Sequence, residues 1–159
     1  MKKTPCQIIL LLLTIPFTAT EASNLNVNVK VTLAAPPCIV NDNKSIEINF
    51  YDVMTTRIGN GNYRTPINYT LDCKGASSNL MKLKIQGDGP LFDRTVLKTG
   101  TPGLGIELQE GSNKLAINTW LNFTYPNIPT LWAVPVKQKD LVLSGGEFSA
   151  SAIMTIDYQ

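Results

Sequence analysis

The sequence predicts an all-β sandwich, and three observations predict it. Beyond the first two dozen residues the chain is a succession of short segments that alternate apolar and polar residues, as strands with one buried face do. Turn-forming clusters separate them: Gly59-Asn60-Gly61, Gly87-Asp88-Gly89-Pro90, Gly100-Thr101-Pro102-Gly103 and Gly145-Gly146. No segment keeps a 3.6-residue apolar period over three turns.

The elements follow in order. Met1-Lys2-Lys3 is basic, residues 8–17 are an apolar run containing Leu10-Leu11-Leu12-Leu13, and Thr18-Ala19-Thr20-Glu21-Ala22 supplies small residues. This is the layout of a secretory signal peptide over 1–22, with cleavage expected between Ala22 and Ser23. The run is broken by Pro16 and falls short of the roughly 18–20 residues that span a bilayer. Cys6 is expected to leave with it.

Residues 23–35 form an arm. Within it Leu25-Asn26-Val27-Asn28-Val29-Lys30-Val31-Thr32-Leu33 alternates without a break, so Leu25, Val27, Val29, Val31 and Leu33 share one face. Ala34-Ala35-Pro36-Pro37 follows, and two prolines neither donate ladder bonds nor make a tight hairpin turn. The arm therefore has no local partner, as expected of a strand built to fill another domain.

Residues 36–159 read as one domain; the mature chain, about 137 residues, suffices for a single well-packed core. Candidate strands are 37–40, 45–51 (Ile46, Ile48 and Phe50 on one face), 63–73 (Ile67, Tyr69, Leu71 and Cys73), 80–86 (Leu83 and Ile85), 104–109, 120–124, 131–137 and 148–158. Strands at this spacing suggest a sandwich of immunoglobulin type. The last is the longest: Phe148, Ala150, Ala152, Met154, Ile156 and Tyr158 point one way, and no later strand is there to pair with it. If it borders a gap in a sheet, the fold is one strand short.

Composition narrows the chemistry. Removing Lys2, Lys3 and Glu21 takes the formal charge from +2 to about +1 with no basic cluster, so nucleic acid is not an expected partner. Cys38 and Cys73 remain, and an even pair in an exported chain reads as a structural disulfide. Histidine is absent, which excludes Ser-His-Asp, Cys-His and His-Glu-x-x-His sites. Asp88, Asp93, Glu107 and Glu110 have no spacing that sets up a carboxylate pair and read as solvated acids. Residues 100–105 lack the order of a phosphate loop, and Asn41-Asp42-Asn43-Lys44-Ser45 lacks the glycine and distal glutamate of a calcium loop; both read as turns. No metal or cofactor is expected, and no enzyme. Trp120, Tyr125 and Trp132 could form a sugar-stacking platform, but Trp120 and Trp132 lie in apolar strand-like segments and core packing is the more ordinary expectation.

These residues resemble a known family, the pilins of the bacterial chaperone–usher pathway, and among them the minor tip or adaptor subunits of P-type and type 1-like fimbriae. The resemblance rests on the alternating arm, on Pro36-Pro37-Cys38-Ile39-Val40-Asn41, on the second cysteine in Tyr69-Thr70-Leu71-Asp72-Cys73, and on the ending from Gly145-Gly146-Glu147-Phe148 to Ile156-Asp157-Tyr158-Gln159. The penultimate Tyr158 and the upstream Gly146 match the family's C-terminal pattern. The resemblance implies an incomplete immunoglobulin-like sandwich, lacking its final strand, with a groove beside the C-terminal strand. It implies a periplasmic chaperone that lends a strand to that groove, an outer-membrane usher where the next subunit's arm replaces it, and export to a surface fimbrium. Gly146, Phe148, Ala150, Ala152, Met154, Ile156 and Tyr158 would then border the acceptor groove and bind the chaperone, and Leu25, Val27, Val29, Val31 and Leu33 would be the donor strand. Many arms of the family carry a glycine in the alternating stretch; here every position has a side chain, which points to a particular acceptor neighbour.

The expected function is a non-enzymatic subunit of an adhesive fimbria that polymerises by donor-strand exchange, as a minor tip or adaptor component. The alternatives are the major shaft pilin of the same pathway and, from a different class, a secreted sugar-binding β-sandwich using Trp120 and Trp132.

Overall fold

Alternation builds the two main sheets. In residues 81–85, Met81, Leu83 and Ile85 are buried while Lys82 and Lys84 stay partly exposed, the pattern of a strand that covers a core with one face. The computed structural model describes residues 38–59 and 61–159. The signal segment, the Ala22–Ser23 junction, the arm with Leu25, Val27, Val29, Val31 and Leu33, and the start of the domain at 36–37 lie outside the described residues.

The strands are β1 (Ile39–Val40), β2 (Thr65–Ile67), β3 (Leu71–Asp72), β4 (Leu80–Gln86), β5 (Leu97–Lys98), β6 (Leu104–Glu110), β7 (Asn113–Leu115), β8 (Leu121–Thr124), β9 (Leu131–Lys137) and β10 (Ile153–Tyr158). One sheet has the order β10-β4-β8; the other has the order β2-β9-β6-β5, with β7 added to β6; β1 and β3 form a separate pair. Each pairing is antiparallel. The core is made of Met81, Leu83 and Ile85 from β4, Ile106 and Leu108 from β6, Phe123 from β8 and Leu131 and Ala133 from β9. β9 is buried on both faces from Ala133 to Pro135, as a central strand is. Pro135 lies beyond the stretch that β2 covers, where its missing N–H is tolerated.

Local chemistry explains the connections. Asn41, Asp42 and Asn43 take left-handed backbone angles (φ 48°, 52° and 60°), which Asn and Asp tolerate best among side-chain-bearing residues. The Asn41 amide donates to the carbonyls of Lys44 and Ser45 and closes that turn. Gly103 has φ 77°, and a Cβ there would lie 1.9 Å from Leu141 Cδ2, so the turn before β6 needs glycine twice over. Cys38 and Cys73 are bonded, with Cα atoms 4.3 Å apart, and tie the start of the domain to the end of β3. The chain terminus is clamped to the three-stranded sheet: the Gln159 side chain donates to the carbonyls of Met81 (2.7 Å) and Phe123 (3.2 Å).

Three sequence expectations are corrected. Residues 63–73 are two strands rather than one, because β2 pairs with β9 while β3 pairs with β1. Residues 45–51 form no strand, with Tyr51 in the left-handed region (φ 52°), and of 148–158 only Ile153–Tyr158 is a strand. Ladder hydrogen bonds define a strand, and among the described residues neither stretch pairs with one. β5 and β7, only 2 and 3 residues long, are too short for periodicity to reveal.

Candidate binding groove

The two unladdered stretches face each other. Residues 45–51 alternate in burial, with Ile46, Ile48 and Phe50 turned toward the core and Ser45, Glu47, Asn49 and Tyr51 exposed. Across from them runs the segment that leads into β10, and Phe148 and Met154 also pack against the core. Among the described residues no backbone ladder joins the two banks. Between them lie two open cavities of about 700 and 810 Å³. The floor of the first is Ile67, Ile85, Leu97, Ile106, Leu108 and Ala133, contributed by both sheets. Ile48, Phe50 and Phe148 line both cavities, so these are two halves of one groove. The Phe50 and Phe148 rings, 6.0 Å apart between centroids, meet between the banks where the halves join.

Each residue expected at the site has a position. Phe148, Ala150, Ala152 and Met154 line the first cavity. Gly146 lines the second with φ 143°, a conformation open to glycine. Ile156 and Tyr158 pack against the core from β10 instead, in register with Leu83 and Met81 of β4. In sequence the opposite bank, Ile46, Ile48 and Phe50, shows only a strand face, and its alternation, the same as the arm's, is the signal that it borders the same slot. The disulfide sits at the base of this bank, since Val40, two residues past Cys38, already lines the first cavity.

The arrangement can bind, and two of the acids singled out in the sequence are engaged in ion pairs. Among the described residues, no group of three or more His, Cys, Asp or Glu could hold a metal ion. Asp93 and Glu107 are engaged by one lysine: Lys114 Nζ is 2.8 Å from Asp93 Oδ2 and 3.7 Å from Glu107 Oε2. The Lys114 ammonium and the Thr95 hydroxyl and N–H hold the Asp93 carboxyl down at about 2. Burial pushes the Tyr69 hydroxyl up, and it donates to the Pro129 carbonyl at 2.6 Å. The tryptophans do not form a platform. Trp120 immediately precedes β8 in one sheet and Trp132 lies in β9 of the other, where the Arg64 guanidinium stacks 3.7 Å from its ring centroid. Nor is Trp120 a core residue: it is 41% exposed.

The family model described as Fimbrial protein matches residues 24–159. The chain belongs to this family. As a fimbrial protein it is similar to the uncharacterized fimbrial-like protein YfcQ of Escherichia coli (strain K12), with 37% identity over 94% of this chain and 97% of that one. It is also similar to the minor fimbrial protein PrsF of Escherichia coli, with 24% identity over 86% of this chain and 89% of that one. Among solved structures, the P pilus adaptor subunit PapF shares its fold, with a TM-score of 0.61, 22% identity and coverage of 79% of this chain and 98% of that one. The fold is therefore the immunoglobulin-like pilin fold, and the chain is a structural subunit of a chaperone–usher fimbria, not an enzyme. It assembles with other subunits in an extracellular pilus.

Proposed function

We propose that the groove receives an extended strand from a partner, and that the chain's own arm fills the equivalent groove of a neighbouring subunit. One observation carries the reading: two segments with alternating apolar side chains face each other across an apolar groove with no ladder between them. A strand laid there bonds to a bank and turns alternate side chains onto the floor. This is strand addition, a general mode of recognition of which chaperone–pilin complementation is itself an established instance. A periplasmic chaperone lends the strand first; at the outer-membrane usher the next subunit's arm replaces it. The signal peptide over 1–22 sends the chain into the periplasm on this route, and residues 23–35 are the donor arm.

The energetics favour a kinetic lock over a large equilibrium gain. Burying Leu25, Val27, Val29, Val31 and Leu33 contributes on the order of 8–15 kcal/mol gross, while ordering the stretch 25–33 costs roughly 1–2 kcal/mol per residue. These nearly cancel, so ladder bonds and a slow release hold the strand. Because one subunit's arm fills another's groove, the contact is head-to-tail and does not close, and a fibre results. The minor or adaptor position is supported by the names of the relatives PrsF and PapF, a minor fimbrial protein and a fimbrial adapter.

The test is stability with and without a donor. The mature chain is expected to aggregate or melt at low temperature alone, and to gain well over 10 °C when a synthetic strand or chaperone is bound. A lone monomer as stable as its strand-bound form would overturn the reading.

A further inference from the structure

Fibre assembly leaves the outer face of the three-stranded sheet unexplained. Trp120 stands there 41% exposed. Beside it, two outward side chains of β4 bring their ammonium groups to the indole: Lys84 Nζ is 4.3 Å and Lys82 Nζ 4.9 Å from the ring centroid. Lys82 is paired with Asp157 Oδ2 at 3.3 Å, whereas among the described residues no carboxylate lies within 4.0 Å of Lys84. Two cations and one anion leave the patch positive. Thr155, opposite Lys84 in the register, donates its hydroxyl to Gln86 Oε1 at 2.8 Å and so sets an exposed carboxamide next along the strand.

The face also stays open when the groove is filled. Ile85 of β4 forms part of the groove floor and Leu83 is core, so by the two-residue period Lys82 and Lys84 project from the opposite side. Any strand seated in the groove leaves Trp120 displayed.

We propose that Trp120, Lys84 and Lys82 form a binding site for an acidic saccharide, a sugar ring that carries a carboxylate. The part of the indole that stays exposed beside the two ammonium groups takes the C–H face of the pyranose, those ammonium groups take the carboxylate next to it, and Gln86 takes a ring hydroxyl. A bare anion has no use for the indole, and a neutral sugar has none for two lysines at its edge. The site does not depend on the strand-exchange reading, because it lies on the face away from the groove.

The probes are a hyaluronan tetrasaccharide, which carries glucuronate, and neutral chitotetraose of the same length, with the mature protein in its strand-bound form. Saturation-transfer NMR from protein to sugar reads binding. The hyaluronan fragment is expected to bind at least about tenfold tighter than chitotetraose. Lys84→Gln, which keeps the side-chain stem, is expected to remove that preference, and Trp120→Ala to abolish transfer to both sugars with an unchanged melting temperature. Absence of transfer to the hyaluronan fragment overturns the proposal. So does full binding by Trp120→Ala, or displacement of the fragment by tripolyphosphate with unchanged affinity in Lys84→Gln, either of which would mean a generic surface effect.

Discussion

At the scale of single residues, the charges of this domain serve packing and surface more than chemistry. Asp93 is the clearest case: its folded-state pKa, about 2, lies below the ordinary carboxylate value because the Lys114 ammonium and Thr95 donate to it. A depressed carboxyl contributes stability above its unfolded pKa and loses it as pH falls through the folded one. The contribution is therefore full above about pH 4 and is lost toward pH 2. The Asp93 and Lys114 side chains are about a third and two-fifths exposed, so solvent screening limits the contribution to about 1 kcal/mol or less. Unfolding of the strand-bound protein between pH 2 and pH 5 should show Asp93→Asn less stable at pH 5 and converging with the unsubstituted chain near pH 2. That this acid is ion-paired was invisible in sequence, where Asp93 and Lys114 are 21 positions apart. The exposure of Trp120 was equally hidden: an apolar neighbour such as Leu121 says that a strand is near, not which way the indole turns.

At the scale of elements, the stretches that failed to become strands are those that define the site. Residues 45–51 and 148–152 have the alternation of strands, and alternation was legible along the chain. Pairing was not, because a ladder is a property of two segments and these two are separated by the groove. The disulfide anchors one bank by tying Cys38, next to β1, to Cys73, just after β3. Cys73→Ser should lower stability by about 3–4 kcal/mol in the chain-entropy account of a loop this size. Denaturant unfolding of the strand-bound form measures it, and Cys38→Ser should match within error because both remove the same bond. A small or unequal effect would show that the bank is held by β1–β3 pairing alone.

For the molecule as a whole, arm and groove act in different subunits. Deleting residues 23–33 should leave a domain that folds with a donor strand and binds a chaperone as before, yet cannot be linked to the next subunit. Electron microscopy of fibres and capture of the deleted chain on a purified acceptor subunit would check it. Fibres that still grow through this subunit would sink the donor role of Leu25, Val27, Val29, Val31 and Leu33. The all-β class, the order of the main strands and the alternating faces could be read along the chain, because each depends on local turn chemistry and on a period of two. The cysteine pairing could be read because only two cysteines follow the signal segment. The split of 63–73 between two pairings, the two-sheet floor beneath the groove, the Phe50–Phe148 contact across it and the lysine-flanked Trp120 on the outer face were settled only in three dimensions. Each joins residues from segments far apart in sequence, and which of them meet is fixed by how the sheets stack rather than by any local pattern.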